Sequence, residues 1–346
     1  MIFGILGSGS WGTALAKILT DNGQTIHWWT RSEAAIHQFI ARRHNPQYLP
    51  SARFNMSQLN LTTNPEEVIH NSDVIVIAIP SAFVIETLST LPADIFEGKK
   101  IVSAIKGILP QNNKLLNDYL REQFNVELNN YFAVLGPCHA EEVAAEKLSY
   151  LTFTGIDTHT TTQIAGYFKT DYINTVTNKD IYGVQYAAVL KNIYAVAAGI
   201  AHGLDYGDNF LSVLIANSAD EMAGFLRKAG FINAEVGYIE HKKTAELTEE
   251  HNNYAASVYL GDLLVTCYSL HSRNRTFGNM IGKSYSVKAA QLEMSMVAEG
   301  YYASQCMHII NKEVMSDMPI ASTVYEILWN GLQARTGFER IEEGLV

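Results

Sequence analysis

A glycine-rich turn near the amino terminus constrains the fold of this chain more than any other feature. Gly7, Gly9 and Gly12 form a G-x-G-x-x-G pattern, preceded by the apolar run 1–6 and followed by the amphipathic helical spacing of residues 13–19. In the strand–turn–helix unit that binds dinucleotides, the first glycine permits the turn, the second admits a pyrophosphate, and the third lets helix and strand pack closely. The pattern predicts such a unit, with the helix amino terminus facing the phosphates; an ordinary structural turn is the alternative.

The strands expected after this turn indicate a doubly wound sheet. Apolar runs with almost no polar alternation are typical of parallel strands covered on both faces. Such strands are predicted at 73–80 and 100–107, and further strands are predicted at 25–29, 131–135, 150–154 and 172–176. Residues 36–61 are read as a helix followed by a loop, without evident chemistry.

Beyond Asp180 the pattern changes to long helical stretches rich in alanine, leucine and methionine, and a final helix is predicted to start at Met318-Pro319. The predicted fold class is therefore an α/β Rossmann-type doubly wound sheet in residues 1–180, followed by an all-α domain in residues 181–346. The length of 346 residues suits two domains of ordinary size.

Composition excludes several classes of protein. With 47% hydrophobic and 17% charged residues, the chain is expected to be globular. No apolar run approaches membrane-spanning length, and the first strand leaves no room for a signal peptide, so the expectation is a cytoplasmic protein without stable membrane insertion. A net charge of −10 argues against nucleic-acid binding. Three scattered cysteines predict reduced thiols, without a disulfide framework or a metal site.

Two cationic side chains follow strands on the expected cofactor side of the sheet. At the tip of the second strand, Thr30-Arg31-Ser32 replaces the acidic residue that would bind a ribose 2′-hydroxyl, which favours NADP(H); a surface arginine is the alternative. Lys106, beside Gly107, ends another buried strand, where a solvated lysine is the alternative to a functional one.

The turn at Gly136-Pro137-Cys138-His139 also faces the cleft. A Cys138/His139 nucleophile is disfavoured, because adjacent side chains on an extended turn point apart.

The helix predicted over residues 182–202 carries the sharpest chemical signal after the glycine turn. Lys191 has no polar face, because apolar residues cover most of the circumference, and Asn192 is its only polar neighbour. Burial disfavours a charged ammonium and suits it to general acid–base chemistry; snorkelling to solvent is the alternative.

Further along the chain, Ser272-Arg273-Asn274-Arg275 offers the hydroxyl, guanidinium and amide donors that a phosphate needs, although a surface loop would look similar. The charged stretch 237–258 is read as a solvated helical face rather than a metal site. Glu299 interrupts an apolar stretch with a single carboxylate.

The assembled motifs resemble the bacterial-type NAD(P)-dependent glycerol-3-phosphate dehydrogenases over residues 5–331. The resemblance rests on the ordered segments 7–15, 103–107, 136–137, 190–192, 260–263, 272–275 and 297–300. It implies a helical domain like the carboxyl-terminal domain of 6-phosphogluconate dehydrogenase. It also implies interconversion of dihydroxyacetone phosphate and sn-glycerol 3-phosphate for phospholipid synthesis, with NAD(H) or NADP(H). The partner is then a small phosphorylated molecule, and a homodimer is possible.

The resemblance also implies site residues. Cofactor contacts fall on Gly7, Gly9, Ser10, Trp11, Gly12, Arg31, Lys106, Ala140, Arg273, Val297 and Glu299. Substrate contacts fall on Lys106, Gly136, Cys138, Lys191, Asp262, Ser272, Arg273 and Asn274. Catalytic roles fall on Lys191 as acid/base, Lys106 at the developing alkoxide, Asp262 setting the charge of Lys191, and Asn192 and Thr266 orienting the substrate. Two positions depart from the family: Cys138 replaces a serine or threonine, and Tyr259 replaces a small residue.

Two rival functions remain open from the sequence. A sister oxidoreductase of the same two-domain plan, acting on a 3-hydroxy acid or a keto acid, would bind a carboxylate and would not need Asp262 with the 272–275 cluster. A non-catalytic NAD(P)-binding regulator would not need a buried acid/base such as Lys191.

Overall fold

The computed structural model describes residues 1–231, 257–294 and 298–346. The chain forms two compact units, Met1–Ile181 and Tyr182–Val346. The first is an α/β unit and the second is helical throughout its described part, so the predicted fold class is confirmed.

One eight-stranded sheet organises the first unit, with the order β3-β2-β1-β4-β5-β6-β7-β8. Its first six strands have the 3-2-1-4-5-6 order of a Rossmann fold and pair in parallel. The strands are β1 Phe3–Leu6, β2 Ile26–Trp29, β3 Leu59–Thr62, β4 Val74–Ile77, β5 Lys100–Ser103, β6 Tyr131–Leu135, β7 Ser149–Thr154 and β8 Ile173–Asn178. Every residue of β1, β4 and β6 is buried, which explains their unbroken apolar sequences.

Helices connect these strands. They are α1 Ser10–Asp21, α2 Glu33–Arg42, α3 Pro65–His70, α4 Val84–Leu88, α5 Leu116–Phe124, α6 Ala140–Ala144 and α7 Thr158–Tyr167. Capping explains where several begin: the Asn64 side chain accepts from Glu66 N–H with Pro65 in the first turn, and Asp157 accepts from Thr160 N–H.

The sheet differs from the sequence prediction in two places. Residues 59–62, read as loop, form β3 at the sheet edge, where only Leu59 is buried and the apolar signal is correspondingly weak. Strand β7 runs antiparallel to β6, whereas β8 runs parallel to β7. Strand direction depends on the connecting segments, which residue patterning does not encode.

The second unit is built around α8, Ile181–Gly203. The other helices are α9 Asp208–Lys228, α10 Asp262–Tyr268, α11 Arg273–Gly282, α12 Val287–Glu293, α13 Glu299–Val314, α14 Pro319–Trp329 and α15 Ala334–Gly344. Helix α14 does begin at Pro319, but α15 follows it, so the prediction of a final helix there is wrong.

By length and composition, α8 is apolar enough to cross a membrane, which corrects the expectation that no segment is. Within the protein, 94% of its 18-residue apolar window is buried, the usual situation of a core helix.

Glycines bring α8 and α11 into direct backbone contact. A Cβ added at Gly199 would lie 2.1 Å from the Arg275 carbonyl oxygen, and one added at Gly278 would lie 2.1 Å from the Val196 carbonyl oxygen. The two helices therefore approach as closely as backbones allow, and they run in the same direction. This approach sets the amino terminus of α11 beside the middle of α8, where Lys191 and Asn192 lie.

Candidate active site

In the first unit, the glycine turn has the geometry that a dinucleotide site requires. Gly7 adopts φ +122°, and a Cβ there would lie 2.5 Å from the Ala78 carbonyl oxygen, so no side chain fits. A Cβ at Gly12 would lie 2.3 Å from the Gly7 carbonyl oxygen, which explains the third glycine. A Cβ at Gly9 would meet no heavy atom of the described residues within 4 Å, and Gly9 caps α1 without a side-chain hydrogen bond. The helix amino terminus thus suits an incoming pyrophosphate.

Asn45 supports this turn from a segment in which the sequence indicated no chemistry. It is buried, and its Nδ2 donates to the Ser8 carbonyl oxygen at 2.9 Å and to Thr13 Oγ1 at 2.8 Å. Its Oδ1 accepts the N–H groups of Gln47 and Tyr48. The signal in the sequence was the Asn-Pro pair at 45–46, typical of a tight Asx turn.

Trp11 and Lys106 meet within the first unit. Lys106 Nζ lies 4.8 Å from the centroid of the Trp11 ring, a cation–π contact that fixes the lysine at the end of β5. Trp11 Nε1 is buried without a hydrogen-bond partner among the described residues. A buried donor without a partner is what a site completed by a ligand shows.

The tip of β2 carries two hydroxyls and one guanidinium. Arg31 is exposed, and Thr30 is buried with a hydroxyl that lacks a partner in the described part of the chain. Ser32 Oγ accepts the Ala35 N–H and caps α2. Arg31 and Ser32 are both exposed, and the Ser32 hydroxyl is engaged in the helix cap.

The turn after β6 has a tightly specified backbone. Gly136 adopts φ +125°, and a Cβ there would lie 2.7 Å from the Tyr150 carbonyl oxygen. Cys138 and Ala140 are buried, and Ala140 is the first residue of α6.

In the second unit, Lys191 and Asp262 form a buried ion pair between Nζ and Oδ2. Their exposed fractions are 2% and 1%, so the expected burial of Lys191 is confirmed and snorkelling is excluded. Asp262 begins α10, directly after a π-helical turn at Ser257–Gly261. Thr266 Oγ1 donates to the Asp262 carbonyl oxygen at 2.5 Å, which fixes the backbone that carries the carboxylate.

Cys267 shares this environment but cannot act as a nucleophile. Its side chain is fully buried, and burial raises the pKa of its thiol to about 12, although the nearby cations of Lys191 and Arg275 act in the opposite direction. The group is therefore a neutral thiol at physiological pH.

Three helices meet beside Lys191 through a chain of amides. Asn274 Nδ2, on α11, donates to Asn192 Oδ1 of α8 at 2.9 Å. Asn274 Oδ1 accepts the Gly300 N–H of α13, also at 2.9 Å. Asn192 and Asn274 are both buried.

The 272–275 cluster, read as a possible surface loop, is the beginning of α11. Ser272 Oγ accepts the Arg275 N–H and caps the helix, and Arg273 is exposed in its first turn. A guanidinium at the positive end of a ten-residue helix is suited to bind a phosphate.

The remaining predicted residues are placed as follows. Glu299 is the first residue of α13. Val297 and residues 237–256 of the charged stretch lie outside the described residues. Within the described ranges, no group of three or more His, Cys, Asp and Glu side chains is arranged to hold a metal ion.

Comparison with known proteins identifies two family models that cover most of the chain. The model for the NAD-dependent glycerol-3-phosphate dehydrogenase amino terminus matches residues 3–161, and the model for its carboxyl terminus matches residues 180–339. A glycerol-3-phosphate dehydrogenase [NAD(P)+] of Bacillus subtilis is 33% identical over 97% of this chain and 92% of the relative. The Chlorobium limicola protein of the same name is 32% identical over 96% and 94%.

A solved structure is similar over the full length. The crystal structure of glycerol-3-phosphate dehydrogenase from Coxiella burnetii has a TM-score of 0.86 at 25% identity and covers 99% of this chain and 98% of its own.

Proposed function

The chain belongs to the NAD-dependent glycerol-3-phosphate dehydrogenase family. We propose that Lys191 and Asp262 form the acid–base centre of the dehydrogenase reaction. The enzyme is an oxidoreductase that uses NAD(H) or NADP(H) to interconvert dihydroxyacetone phosphate and sn-glycerol 3-phosphate. That reaction supplies the backbone of glycerophospholipids. The buried Lys191–Asp262 pair is the single observation that carries the assignment of the centre.

The chemistry explains why a buried ammonium is needed. The nicotinamide, when bound, supplies a hydride to C2 of the substrate. Negative charge then develops on the C2 oxygen, and Lys191 Nζ donates a proton to it. In the opposite direction Lys191 accepts that proton. Asp262 keeps the lysine charged in an apolar setting, and Thr266 holds Asp262 in place.

Phosphate recognition is assigned to the start of α11. Arg273 supplies a guanidinium, and the capped helix terminus supplies its dipole. Ser272 and Asn274 are assigned to the substrate by family resemblance, as are Gly136 and Cys138.

The cofactor assignment rests on the first unit. The open face of the glycine turn, the unpartnered Trp11 Nε1 and the exposed Arg31 fit a dinucleotide with a cationic contact near its ribose. Ser10, Lys106 and Ala140 are proposed as further contacts, and Lys106 also as a stabiliser of the developing alkoxide. Glu299, Arg273 and Val297 are proposed cofactor contacts from the resemblance alone.

We further propose a cytoplasmic enzyme that functions as a homodimer and binds no nucleic acid. The net charge of −10 supports the last point. Exposed apolar side chains at Leu264, Tyr268 and Leu270 give the second unit a surface suited to a second copy.

The proposed function is tested by identifying the product. Purified protein is incubated with dihydroxyacetone phosphate and reduced cofactor, and the product is assayed for sn-glycerol 3-phosphate and its mirror image. Formation of the sn-3 isomer alone is expected, with much weaker reduction of unphosphorylated dihydroxyacetone. Preferential reduction of a keto acid would instead support the sister-oxidoreductase alternative. A folded protein that binds nucleotide but reduces none of these compounds would support the regulator.

A further inference from the structure

Hydrogen bonds to backbone carbonyl groups hold the glycine turn of the first unit. The Ser8 carbonyl oxygen accepts a hydrogen bond from Asn45 Nδ2 at 2.9 Å. The next carbonyl oxygen, that of Gly9, accepts the Thr13 hydroxyl at 2.8 Å and the Thr13 backbone N–H at 2.9 Å. Asn45 Nδ2 also donates to the Thr13 hydroxyl oxygen, at 2.8 Å. A single amide thus connects to two consecutive carbonyl groups of the turn, one directly and one through a hydroxyl.

The preceding carbonyl group, that of Gly7, is held by the core of the first unit. Its oxygen accepts a hydrogen bond from Trp28 Nε1 at 3.0 Å. Trp28 is fully buried, and its ring packs against the rings of Phe39 and Phe54, with centroids 5.3 and 5.7 Å away. Core packing therefore fixes the donor to Gly7, whereas the Ser8 carbonyl depends on Asn45.

The partners of the Asn45 amide determine its orientation. Its Oδ1 faces the backbone N–H groups of Gln47 and Tyr48, at 3.0 and 3.2 Å, and these groups can only donate. The opposite end is then Nδ2, whose two N–H groups match two acceptors, the Ser8 carbonyl and the Thr13 hydroxyl. Asn45 is 4% exposed, so bulk water does not compete for these bonds.

The Ser8 carbonyl matters because of the N–H group on the same peptide. In a trans peptide the C=O and N–H bonds point in opposite directions, so a Ser8 carbonyl bound to Asn45 turns the Gly9 N–H away from Asn45. This N–H lies at the amino terminus of α1, where the helix dipole favours an anion. A flipped peptide would instead present its carbonyl oxygen to the phosphate and repel it.

Local packing does not prevent such a flip. The flip rotates the backbone about Gly9, and glycine tolerates such rotations more easily than any other residue. A Cβ at Gly9 would meet no heavy atom of the described residues within 4 Å, so the surroundings of its α-carbon are open. The space that admits a phosphate therefore leaves the Ser8–Gly9 peptide without steric restraint, and the hydrogen bond from Asn45 supplies the restraint.

We propose that Asn45 is a positioning residue for the cofactor: it holds the Ser8–Gly9 peptide with its N–H directed towards the pyrophosphate before the dinucleotide binds. This inference rests on the proposed function, which assigns the pyrophosphate to the glycine turn. It adds a residue that acts on cofactor affinity through the turn. Such preorganisation raises affinity because the peptide no longer has to be ordered when the cofactor binds.

Steady-state kinetics with NADH and saturating dihydroxyacetone phosphate test the proposal. Asn45→Ala is expected to raise KM for NADH by about tenfold, the worth of one hydrogen bond, and to change kcat by less than about twofold. Asn45→Ser retains an oxygen that can accept the Gln47 N–H but is too short to donate to the Ser8 carbonyl, so it should raise KM to a similar extent.

Asn55→Ser is the matched control. Asn55 is an exposed residue of the same connecting segment, and its Oδ1 accepts the Ser57 N–H as Asn45 Oδ1 accepts that of Gln47. Its substitution removes a comparable turn interaction at a distance from the glycine turn along the chain. We expect Asn55→Ser to retain the wild-type KM for NADH and the wild-type kcat.

A second readout separates the phosphate site from the rest of the cofactor site. ADP and adenosine share the nucleoside, but only ADP carries the two phosphates that the turn is proposed to bind. Asn45→Ala should raise the inhibition constant of ADP against NADH by about tenfold and that of adenosine by less than about twofold. Equal increases for the two inhibitors would show that Asn45 shapes the adenosine part of the site, and would overturn the proposal.

If neither variant at position 45 folds, Thr13→Val takes their place. It removes one of the two acceptors of Asn45 Nδ2, while the Gly9 carbonyl keeps the backbone N–H of position 13. The less restrained amide should raise KM for NADH by about threefold without a change in kcat, and an unchanged KM would overturn the proposal.

The remaining outcomes separate this inference from the proposed function. An active wild type whose Asn45→Ala variant shows a lower kcat with an unchanged KM, or no change in either, overturns the positioning role alone, because Asn45 is then merely structural. A folded wild-type protein that does not oxidise NADH with dihydroxyacetone phosphate overturns both the positioning role and the proposed function.

Discussion

A lysine and a carboxylate buried together are stable only as a pair. Removing one partner leaves an uncompensated charge in an apolar interior, at a typical cost of about 3–5 kcal/mol. We propose that the pair also keeps a proton available for the substrate. The apolar circumference of α8 was sufficient to predict that Lys191 is buried. Its contact with Asp262 was expected only through family resemblance, because the two residues are far apart in the sequence.

We propose that Arg31 is the residue that decides the preference between NADH and NADPH. It is exposed at the end of β2, and Thr30-Arg31-Ser32 has no carboxylate to repel a 2′-phosphate. We expect Arg31→Ala to raise KM for NADPH by about 10- to 100-fold, the worth of a hydrogen bond to a charged group, and to change KM for NADH by much less. Initial rates with each cofactor measure this effect.

Arg42→Ala is the matched control for that measurement, because Arg42 is an exposed arginine in the last turn of α2. It should leave both KM values unchanged. If Arg31→Ala changed KM for NADPH and KM for NADH equally, Arg31 would not bind the 2′-phosphate.

At the scale of helices, a buried carboxylate links three helices of the second unit by hydrogen bonds. Glu221 of α9 accepts the N–H groups of Ile320 and Ala321, at 2.8 and 2.9 Å, and so caps α14 from a distant point in the sequence. Tyr194 of α8 donates its hydroxyl to the same carboxylate at 3.2 Å. Burial raises the pKa of Glu221 to about 7, although these three donors act in the opposite direction.

This carboxylate predicts a pH-dependent stability. Between its ordinary pKa of 4.5 and about 7, the folded protein retains a proton that the unfolded chain has released. The free energy of unfolding therefore falls as pH rises through this window, by roughly 3 kcal/mol in total. Glu221→Gln should remove that fall, which denaturant titrations between pH 5 and 7.5 would measure.

The neighbouring exposed Asp220 provides the control. Asp220→Asn should retain the wild-type pH dependence. A Glu221→Gln variant whose stability falls with pH as steeply as that of wild type would show that Glu221 does not titrate in this range.

Element prediction succeeded for the completely buried strands and for some partly buried ones, but not for all of the latter. The fully buried β1, β4 and β6 were identified from their apolar runs, and α8 from its length. The edge strand β3, with one buried residue in four, was missed, whereas β8 at the other edge, with one in six, was identified. Neither Asn45 nor Glu221 was recognised as important, because the significance of a buried polar residue lies in partners that are remote along the chain.

At the scale of the whole molecule, the sequence predicted the two-part architecture and the family correctly. Local motifs were sufficient for this prediction. The glycine turn, the strand ends and the lysine-bearing helix each indicate both a type of secondary structure and a chemical role. The direction of the amide chain from Gly300 to Asn192 was not predictable, since it depends on three helices packing at one point. Such geometry is a property of tertiary structure alone.

The measurement that tests the central claim most directly follows nicotinamide absorbance after dihydroxyacetone phosphate is added to wild-type protein and to Lys191→Ala. Rapid oxidation of the cofactor by wild type is expected, with turnover lowered by about 10²–10⁴-fold in the variant, the usual contribution of a positioned acid/base. Cofactor binding should be nearly equal in the two proteins, because Lys191 is proposed to act on the substrate. Near-wild-type turnover in Lys191→Ala, or no oxidation by folded wild-type protein, would contradict the assignment.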